Sequence, residues 1–219
     1  MTLHMENLFV QLLIVIMFLA AVFLHVVKKN STAAFLYCAQ SGAMALILLV
    51  ASIEAGSRPL LFVALATFAV KTLTAPLFFA HLIKRHQLKF SASTYLNVPL
   101  TLIAVAALTA LTRSHVFAPL TALGHGREGM LSLALAMMLI SLFLIVNRKG
   151  AISQMIGILS LENSIVAFAV FAGLEQASGL QMGIMFDILV WVVVATVFTS
   201  MMYKQFGSLD VTAMRRLKE

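Results

Sequence analysis

The sequence predicts an all-α integral membrane protein with about seven transmembrane helices. First, 62% of the 219 residues are hydrophobic and only 11% are charged, whereas a soluble domain has about a quarter of its residues charged. Second, the apolar residues form runs of about 20, the length that crosses roughly 30 Å of hydrocarbon. Third, basic residues concentrate in alternate connections between these runs. Because backbone groups in hydrocarbon must bond within their own segment, we expect helices.

Seven apolar runs are predicted to cross the membrane. The first is expected to be a retained span and not a cleaved signal peptide, because no basic stretch precedes it. The fourth is the shortest run and contains Pro99. The predicted spans are Asn7–Val27, Thr32–Ile53, Leu60–Ile83, Tyr95–Leu111, Gly129–Val146, Ala151–Leu174 and Leu180–Tyr203.

The basic residues indicate the orientation of these spans. Cytoplasmic connections carry an excess of lysine and arginine, which places the N-terminus outside and the C-terminus in the cytoplasm. The net charge of +7 therefore reports topology, and no nucleic-acid partner is predicted. On the cytoplasmic side lie Lys28, Lys29, Lys84, Arg85, Lys89, Arg148, Lys149, Lys204, Arg215, Arg216 and Lys218, and on the outer side Arg58, Arg113 and Arg127.

The order of the spans divides the chain into three predicted parts. Residues 1–92 form an N-terminal three-helix unit, residues 93–127 a linking transmembrane helix with an external loop, and residues 128–219 a C-terminal three-helix unit. Both triplets start outside and end inside, and each has a basic pair after its first helix. This arrangement is consistent with parallel three-helix repeats.

Three ionisable residues lie inside apolar runs, namely Lys71, Glu162 and Asp187. Each costs about 2.5–3.5 kcal/mol at a helix centre on insertion scales, and such residues often mark proton paths. We therefore take them as candidates for a proton relay. The alternative is that they form interhelical ion pairs or reach the membrane interface.

Pro76 follows Lys71 in the third span. Proline has no amide hydrogen, so the carbonyl of Thr72 loses its usual helical partner. A freed carbonyl beside a buried amine is an expected place for ordered water, which would suit a proton relay. The alternative is an ordinary kink in which Lys71 pairs with a carboxylate on a neighbouring helix.

Polar residues also surround Glu162 in the sixth span. Ser160 and Asn163 lie within one turn of it, and together they predict a polar girdle near the middle of the membrane. Such hydrogen-bonding neighbours would allow the carboxylate to take part in proton transfer.

No other residues predict a cofactor site in this chain. The six histidines lack metal-ligand spacing. His25 and His81 lie near predicted cytoplasmic helix ends, where we expect interfacial or hydrogen-bonded side chains, with haem ligation or proton uptake as the alternatives. Cys38, the single cysteine, is expected to be a small apolar side chain.

Short motifs in the last three spans resemble a known membrane subunit. They are the Gly157-x5-Asn163 spacing with Ser164 and Phe168, and the tail Ser208-Leu209-Asp210-Val211 with Met214-Arg215. About residues 148–215 resemble subunit K of respiratory complex I and its counterpart in Mrp-type sodium/proton antiporters. Nearly the whole chain resembles component E of hydrogenase-4 and its relatives in formate hydrogenlyase-type complexes.

The resemblance implies a non-redox subunit in the membrane arm of such a complex, in a bacterial inner membrane. Its expected role is proton translocation, or coupling between neighbouring antiporter-like subunits. Those subunits and a hydrophilic electron-transfer arm are the implied partners, and iron–sulfur clusters with nickel–iron or flavin centres would lie on partner subunits. An independent secondary ion transporter and a structural membrane scaffold are the alternatives.

The resemblance also bears on the two acidic residues. Subunit K carries two intramembrane glutamates that link proton paths between membrane subunits. Glu162 stands in the matching helix, three residues after the family position, which Leu159 occupies here. Three residues are about 4.5 Å of rise on nearly the same face. Asp187 would be the second acid.

Overall fold

The computed structural model describes residues 2–85, 94–124 and 126–174, together with isolated helical positions between 183 and 200. In the three continuous ranges a π-helical segment, Phe68–Thr74, joins α3 to α4, and a short 3₁₀ helix, Ala122–Gly124, follows α6. The one extended pairing in these ranges is the isolated bridge between Thr94 and Arg148. The α-helices are α1 Thr2–Val26, α2 Asn30–Glu54, α3 Arg58–Thr67, α4 Ala75–Arg85, α5 Val98–Leu111, α6 Ala118–Thr121, α7 Glu128–Asn147 and α8 Ala151–Phe171.

Five helices in the described part of the chain are long and apolar enough to cross a membrane. The prediction of an all-α, multi-pass membrane fold is therefore confirmed. The predicted fourth span is shorter than expected, since α5 has 14 residues, and the seventh span lies outside the continuously described ranges. The five helices are Leu8–Val26, Asn30–Glu54, Arg58–Lys84, Glu128–Asn147 and Ala151–Phe171.

Local sequence signals explain where several helices begin and end. The side chains of Ser57 and Asn97 cap α3 and α5, accepting hydrogen bonds from amides three residues on, at 3.4 and 3.0 Å. A proline in the first turn follows each cap, where its fixed φ suits a helix start. The cap at Asn97 is the reason that α5 begins at Val98 and not at Tyr95. Gly56, at φ +59°, ends α2 in the left-handed conformation that glycine favours.

The central helix of the bundle is α2, which packs against α1, α3, the π segment, α4 and α8. The helices α7 and α8 pack against each other, and α7 also contacts α1 and α5. Gly157 lies at the α7–α8 interface, where an added Cβ would come within 2.9 Å of Ile145 Cγ1. Small residues let membrane helices approach closely. Large side chains such as Phe23, Leu77 and Val146 are exposed on the outside, as lipid-facing residues are.

Basic side chains gather at one end of the bundle. Arg148, after α7, reaches the carbonyls that end α1, and Ser31 and Lys84 line one groove near the start of α2 and the end of α4. At the opposite end, Arg127 lies 3.9 Å from Glu54. The connections rich in basic residues and the connections that carry Glu54 and Arg127 therefore lie at opposite ends of the bundle. This agrees with the prediction that successive connections alternate between the two ends. We call the first end the basic end; it carries Lys28, Lys29, Lys84, Arg148 and Lys149.

Candidate functional site

Lys71 and Glu162 form an ion pair in the middle of the bundle. The Lys71 amine lies 3.2 Å from Glu162 Oε1 and donates a hydrogen bond to Asn163 Oδ1, also at 3.2 Å. Lys71 is thirteen residues from each end of its span, Arg58 and Lys84, which corresponds to about 20 Å of helix on either side. The structure therefore brings Lys71 into contact with Glu162 and Asn163, which the sequence identified on a different span.

A fourth residue, Ser41 on α2, completes what we call the buried charge site: Lys71, Glu162, Asn163 and Ser41. The amide nitrogen of Asn163 donates to Ser41 Oγ at 3.0 Å, so the amide oxygen is turned towards the lysine. Tyr37, one turn earlier on α2, is also fully buried. Three helical elements therefore hold the site.

The site is closed on the lysine side and slightly open at the carboxylate. The side chain of Lys71 is 1% exposed, against 11% for that of Glu162. Ile165, one turn after Glu162, is 42% exposed, so this face of α8 borders the outer surface of the bundle. Opposite charges offset part of each other's desolvation cost when they are paired, and here the paired ammonium of Lys71 also has a hydrogen bond to Asn163.

The backbone that carries Lys71 is π-helical. Ala75 N–H bonds to Val70 O, five residues back, and Thr74 Oγ1 bonds to Ala69 O at 2.9 Å. This segment ends just before Pro76, whose missing amide disrupts the regular α-helical ladder. Single π turns inside α-helices are frequent at functional sites.

The carbonyl freed by Pro76 has a side-chain partner. The thiol of Cys38 on α2 donates to Thr72 O at 3.2 Å. The expectation of ordered water at this carbonyl stays a prediction, since a carbonyl oxygen accepts two hydrogen bonds and the thiol supplies one of them. Cys38, expected to be only a small apolar side chain, also supplies a hydrogen bond between two helices.

The polar side chains predicted to form a girdle on α8 contact different neighbouring helices. Ser160 Oγ lies 2.9 Å from Ser141 Oγ on α7, and its carbonyl accepts from Ser164 Oγ at 2.7 Å. Ser160 is therefore a helix–helix contact and not a partner of Lys71. The hydrogen bonds of Ser160 are made with Ser141 and Ser164, and its role in support of Glu162 stays a prediction.

The remaining predicted residues lie away from the buried charge site. Pro76 lines a surface groove between α2 and α4, and His81 is exposed. His25 Nε2 lies 3.0 Å from the Ile140 carbonyl oxygen, and its ring stacks on Phe143, so the hydrogen-bonded interpretation of His25 is confirmed. Asp187 falls outside the described residues.

Sequence reasoning missed Ser41, although a signal was present. The adjacent pair Gln40-Ser41 interrupts the apolar second span near its middle. Gln40 is also fully buried, and neither of its amide atoms has a hydrogen-bond partner among the described residues. An uncharged polar pair inside a membrane span is therefore a sequence signal for the polar interior of this bundle, just as a charged residue is.

Arg148 also has a role that its loop position did not reveal. Its Nη2 atom lies 2.7, 3.0 and 2.8 Å from the carbonyl oxygens of Leu24, His25 and Val27, which end α1. Burial lowers the pKa of the Arg148 guanidinium, but arginine stays charged in proteins. A positive charge at a helix C-terminus is favourable. Arg148, in the connection between α7 and α8, therefore caps the C-terminus of α1.

The buried charge site can hold or pass a proton, since it joins an amine to a carboxylate within hydrogen-bonding distance. In the described ranges, no group of three histidine, cysteine, aspartate or glutamate side chains could hold a metal ion.

Comparison with known proteins gives one informative relationship. No protein-family model matches the chain, and no solved structure matches it significantly. The chain is similar to the uncharacterized protein Rv0085 of Mycobacterium tuberculosis, with 30% identity over 182 residues, which is 82% of each chain. Identity at this level over most of both chains shows common descent, and the chain therefore belongs to the same family as Rv0085.

Proposed function

We propose that the chain is a non-redox membrane subunit of a complex I-like or hydrogenase-4-like assembly, and that its buried charge site takes part in proton translocation. The observation that carries the proposal is the ion pair of Lys71 and Glu162, at 3.2 Å, in the middle of the bundle and on a π-helical backbone. Ionisable groups at this depth are costly and usually functional.

The hydrogen bonds of the site support a change of protonation. The amine of Lys71 forms an ion pair with Glu162 Oε1 and donates a hydrogen bond to Asn163 Oδ1. If Glu162 takes up a proton, the ammonium keeps Asn163 as an acceptor, and Ser41 holds the Asn163 amide in place. The pair can therefore open without leaving the amine unbonded. A proton would reach Glu162 from the partly exposed face of α8.

The proposed setting follows from the resemblance and from the charge distribution. We infer seven spans with the N-terminus outside and the basic end in the cytoplasm of a bacterial inner membrane. Antiporter-like subunits would border the face of α8 at Glu162 and Ile165, and a hydrophilic arm would carry the redox centres. A purely structural ion pair is the competing role, favoured by the two polar contacts of the Lys71 amine, the ion pair with Glu162 and the hydrogen bond to Asn163.

The decisive experiment measures proton movement in inverted membrane vesicles that contain the assembled complex. Glu162→Gln keeps size and hydrogen bonding but has no charge to gain or lose. If the relay operates, this variant assembles and loses coupled proton movement, while Glu162→Asp retains part of it. Glu54→Gln, in the exposed pair with Arg127 at 3.9 Å, is the matched control and should transport normally.

The double variant Lys71→Met/Glu162→Gln separates the relay from a structural pair. It removes both charges, so neither is left buried alone. A structural role predicts that the double variant restores both assembly and proton movement. A relay predicts that the double variant assembles, as Glu162→Gln does, and still lacks proton movement. Normal pumping by Glu162→Gln in a fully assembled complex would contradict the proposal.

Copurification tests the assembly separately. Gentle detergent extraction followed by mass spectrometry should recover antiporter-like membrane subunits and an iron–sulfur arm with this chain. Recovery as an active homo-oligomer would instead support an independent transporter. Assembly without any effect of the charge variants on proton movement would support a scaffold.

A further inference from the structure

A groove of about 470 Å³ opens between the first half of α2 and α4, apart from the buried charge site. It extends along α2 from Cys38 to Ser31, and along α4 from Pro76 to Lys84. Seven residues of α2 correspond to about 10 Å of length. The volume lies within the range of roughly 300–1,000 Å³ that small-molecule sites occupy.

The groove is apolar inside and charged at its mouth. Its walls include Ala34, Phe35 and Ala80, and its outer end carries Ser31 and Lys84, both of which are exposed. In a membrane-spanning bundle, the apolar walls of the groove would face the acyl chain of a lipid in the hydrocarbon layer. The charged mouth would face the lipid headgroup at the membrane surface.

The charge at the mouth favours an anion. Lys84 lies at the basic end of the bundle, the same end at which the exposed Lys28 and Lys29 precede α2. The N-cap residue of α2, Lys29, makes no side-chain hydrogen bond to the first turn, and the positive end of a helix adds to the attraction for phosphate. Basic pockets between membrane helices commonly bind anionic headgroups.

We propose that this groove binds an anionic phospholipid, with one acyl chain along Ala34, Phe35 and Ala80 and the headgroup phosphate at Lys84 and Ser31. The inference stands independently of the proposed proton relay, because none of its residues belongs to the buried charge site.

The test compares phosphatidylglycerol with phosphatidylcholine of the same acyl chains, titrated into the purified full-length chain and counted by native mass spectrometry. Phosphatidylglycerol should bind more tightly. Lys84→Gln should weaken phosphatidylglycerol binding about fivefold, the effect of one basic residue near a membrane surface. Lys28→Gln removes an equal charge at the same end without lining the groove, and should have a smaller effect.

A second variant tests the groove without altering its charge. Ala80→Leu places a larger side chain in the groove from an exposed helix position, and should reduce the binding of both lipids. Equal binding of the two lipids to the unmodified chain would overturn the proposal. So would unchanged binding in Lys84→Gln or in Ala80→Leu, or equal effects of Lys84→Gln and Lys28→Gln.

Discussion

The amine of Lys71 and the carboxylate of Glu162 lie 3.2 Å apart, on the helices that correspond to the third and sixth predicted spans. Their charges cancel, so each makes the burial of the other tolerable. Lys71→Met should therefore destabilise the protein by about 3–5 kcal/mol, because it leaves a buried carboxylate unpaired. Thermal unfolding in detergent measures this loss.

The control for this prediction is the exposed pair of Glu54 and Arg127, whose side chains are 45% and 44% exposed. Arg127→Met should cost less than about 1 kcal/mol, since exposed pairs contribute little. Similar losses for the two variants would show that Lys71 and Glu162 are not energetically coupled.

Two glycines should respond differently to the same substitution. Gly157→Ala places a Cβ 2.9 Å from Ile145 Cγ1, so the Ile145 side chain or the backbone of α7 must shift, at a cost of about 1–3 kcal/mol. Gly42→Ala meets only Thr72 Cγ2, at 3.5 Å, and should be neutral or stabilising by up to about 1 kcal/mol. Melting temperatures of the two variants give the comparison, and equal values would argue against the close α7–α8 contact.

The hydrogen bond from Cys38 to Thr72 O is testable because serine keeps a donor and alanine does not. Cys38→Ala should cost about 0.5–1.5 kcal/mol, and Cys38→Ser should cost less. Chemical denaturation of both variants in mixed micelles measures the difference. Identical stabilities would indicate that the thiol contributes only its volume.

Arg148 should contribute more to stability than its neighbour Lys149. Arg148→Gln removes the charged donor from three carbonyls at the end of α1, and we expect a loss of about 1.5–3 kcal/mol. Lys149 lies over the ring of Tyr95, at 4.7 Å, and Lys149→Gln should cost about 0.5–1 kcal/mol. If thermal unfolding ranks the two variants in the opposite order, the capping role of Arg148 is wrong.

Reporter fusions test the predicted orientation. A reporter after Glu219 should be active on the cytoplasmic side, and one inserted near His125 should be active outside, because the basic connections face the cytoplasm. Alkaline phosphatase and green fluorescent protein, which are active on opposite sides, provide the measurement. Both positions on one side would rule out the seven-span arrangement.

Sequence alone determined the class of the fold. Apolar runs of membrane-spanning length are a property of consecutive residues, and the bilayer leaves the helix as the structure that satisfies their backbone. Local signals such as Asn97, Ser57 and Gly56 likewise lie next to the helix ends that they define. The candidates Lys71 and Glu162 also emerged from sequence, because charge inside an apolar run is visible without knowledge of neighbouring helices.

Only the tertiary structure decided which of these residues meet. The direction in which a side chain leaves its helix depends on how that helix is rotated and packed, and this is why Ser160 contacts α7 while Asn163 reaches Lys71 and Ser41. The same dependence made Cys38 a donor to Thr72 and made Arg148 a cap for α1. Partners far apart in sequence are brought together by helix packing, and the pattern of a single span contains no information about its neighbours.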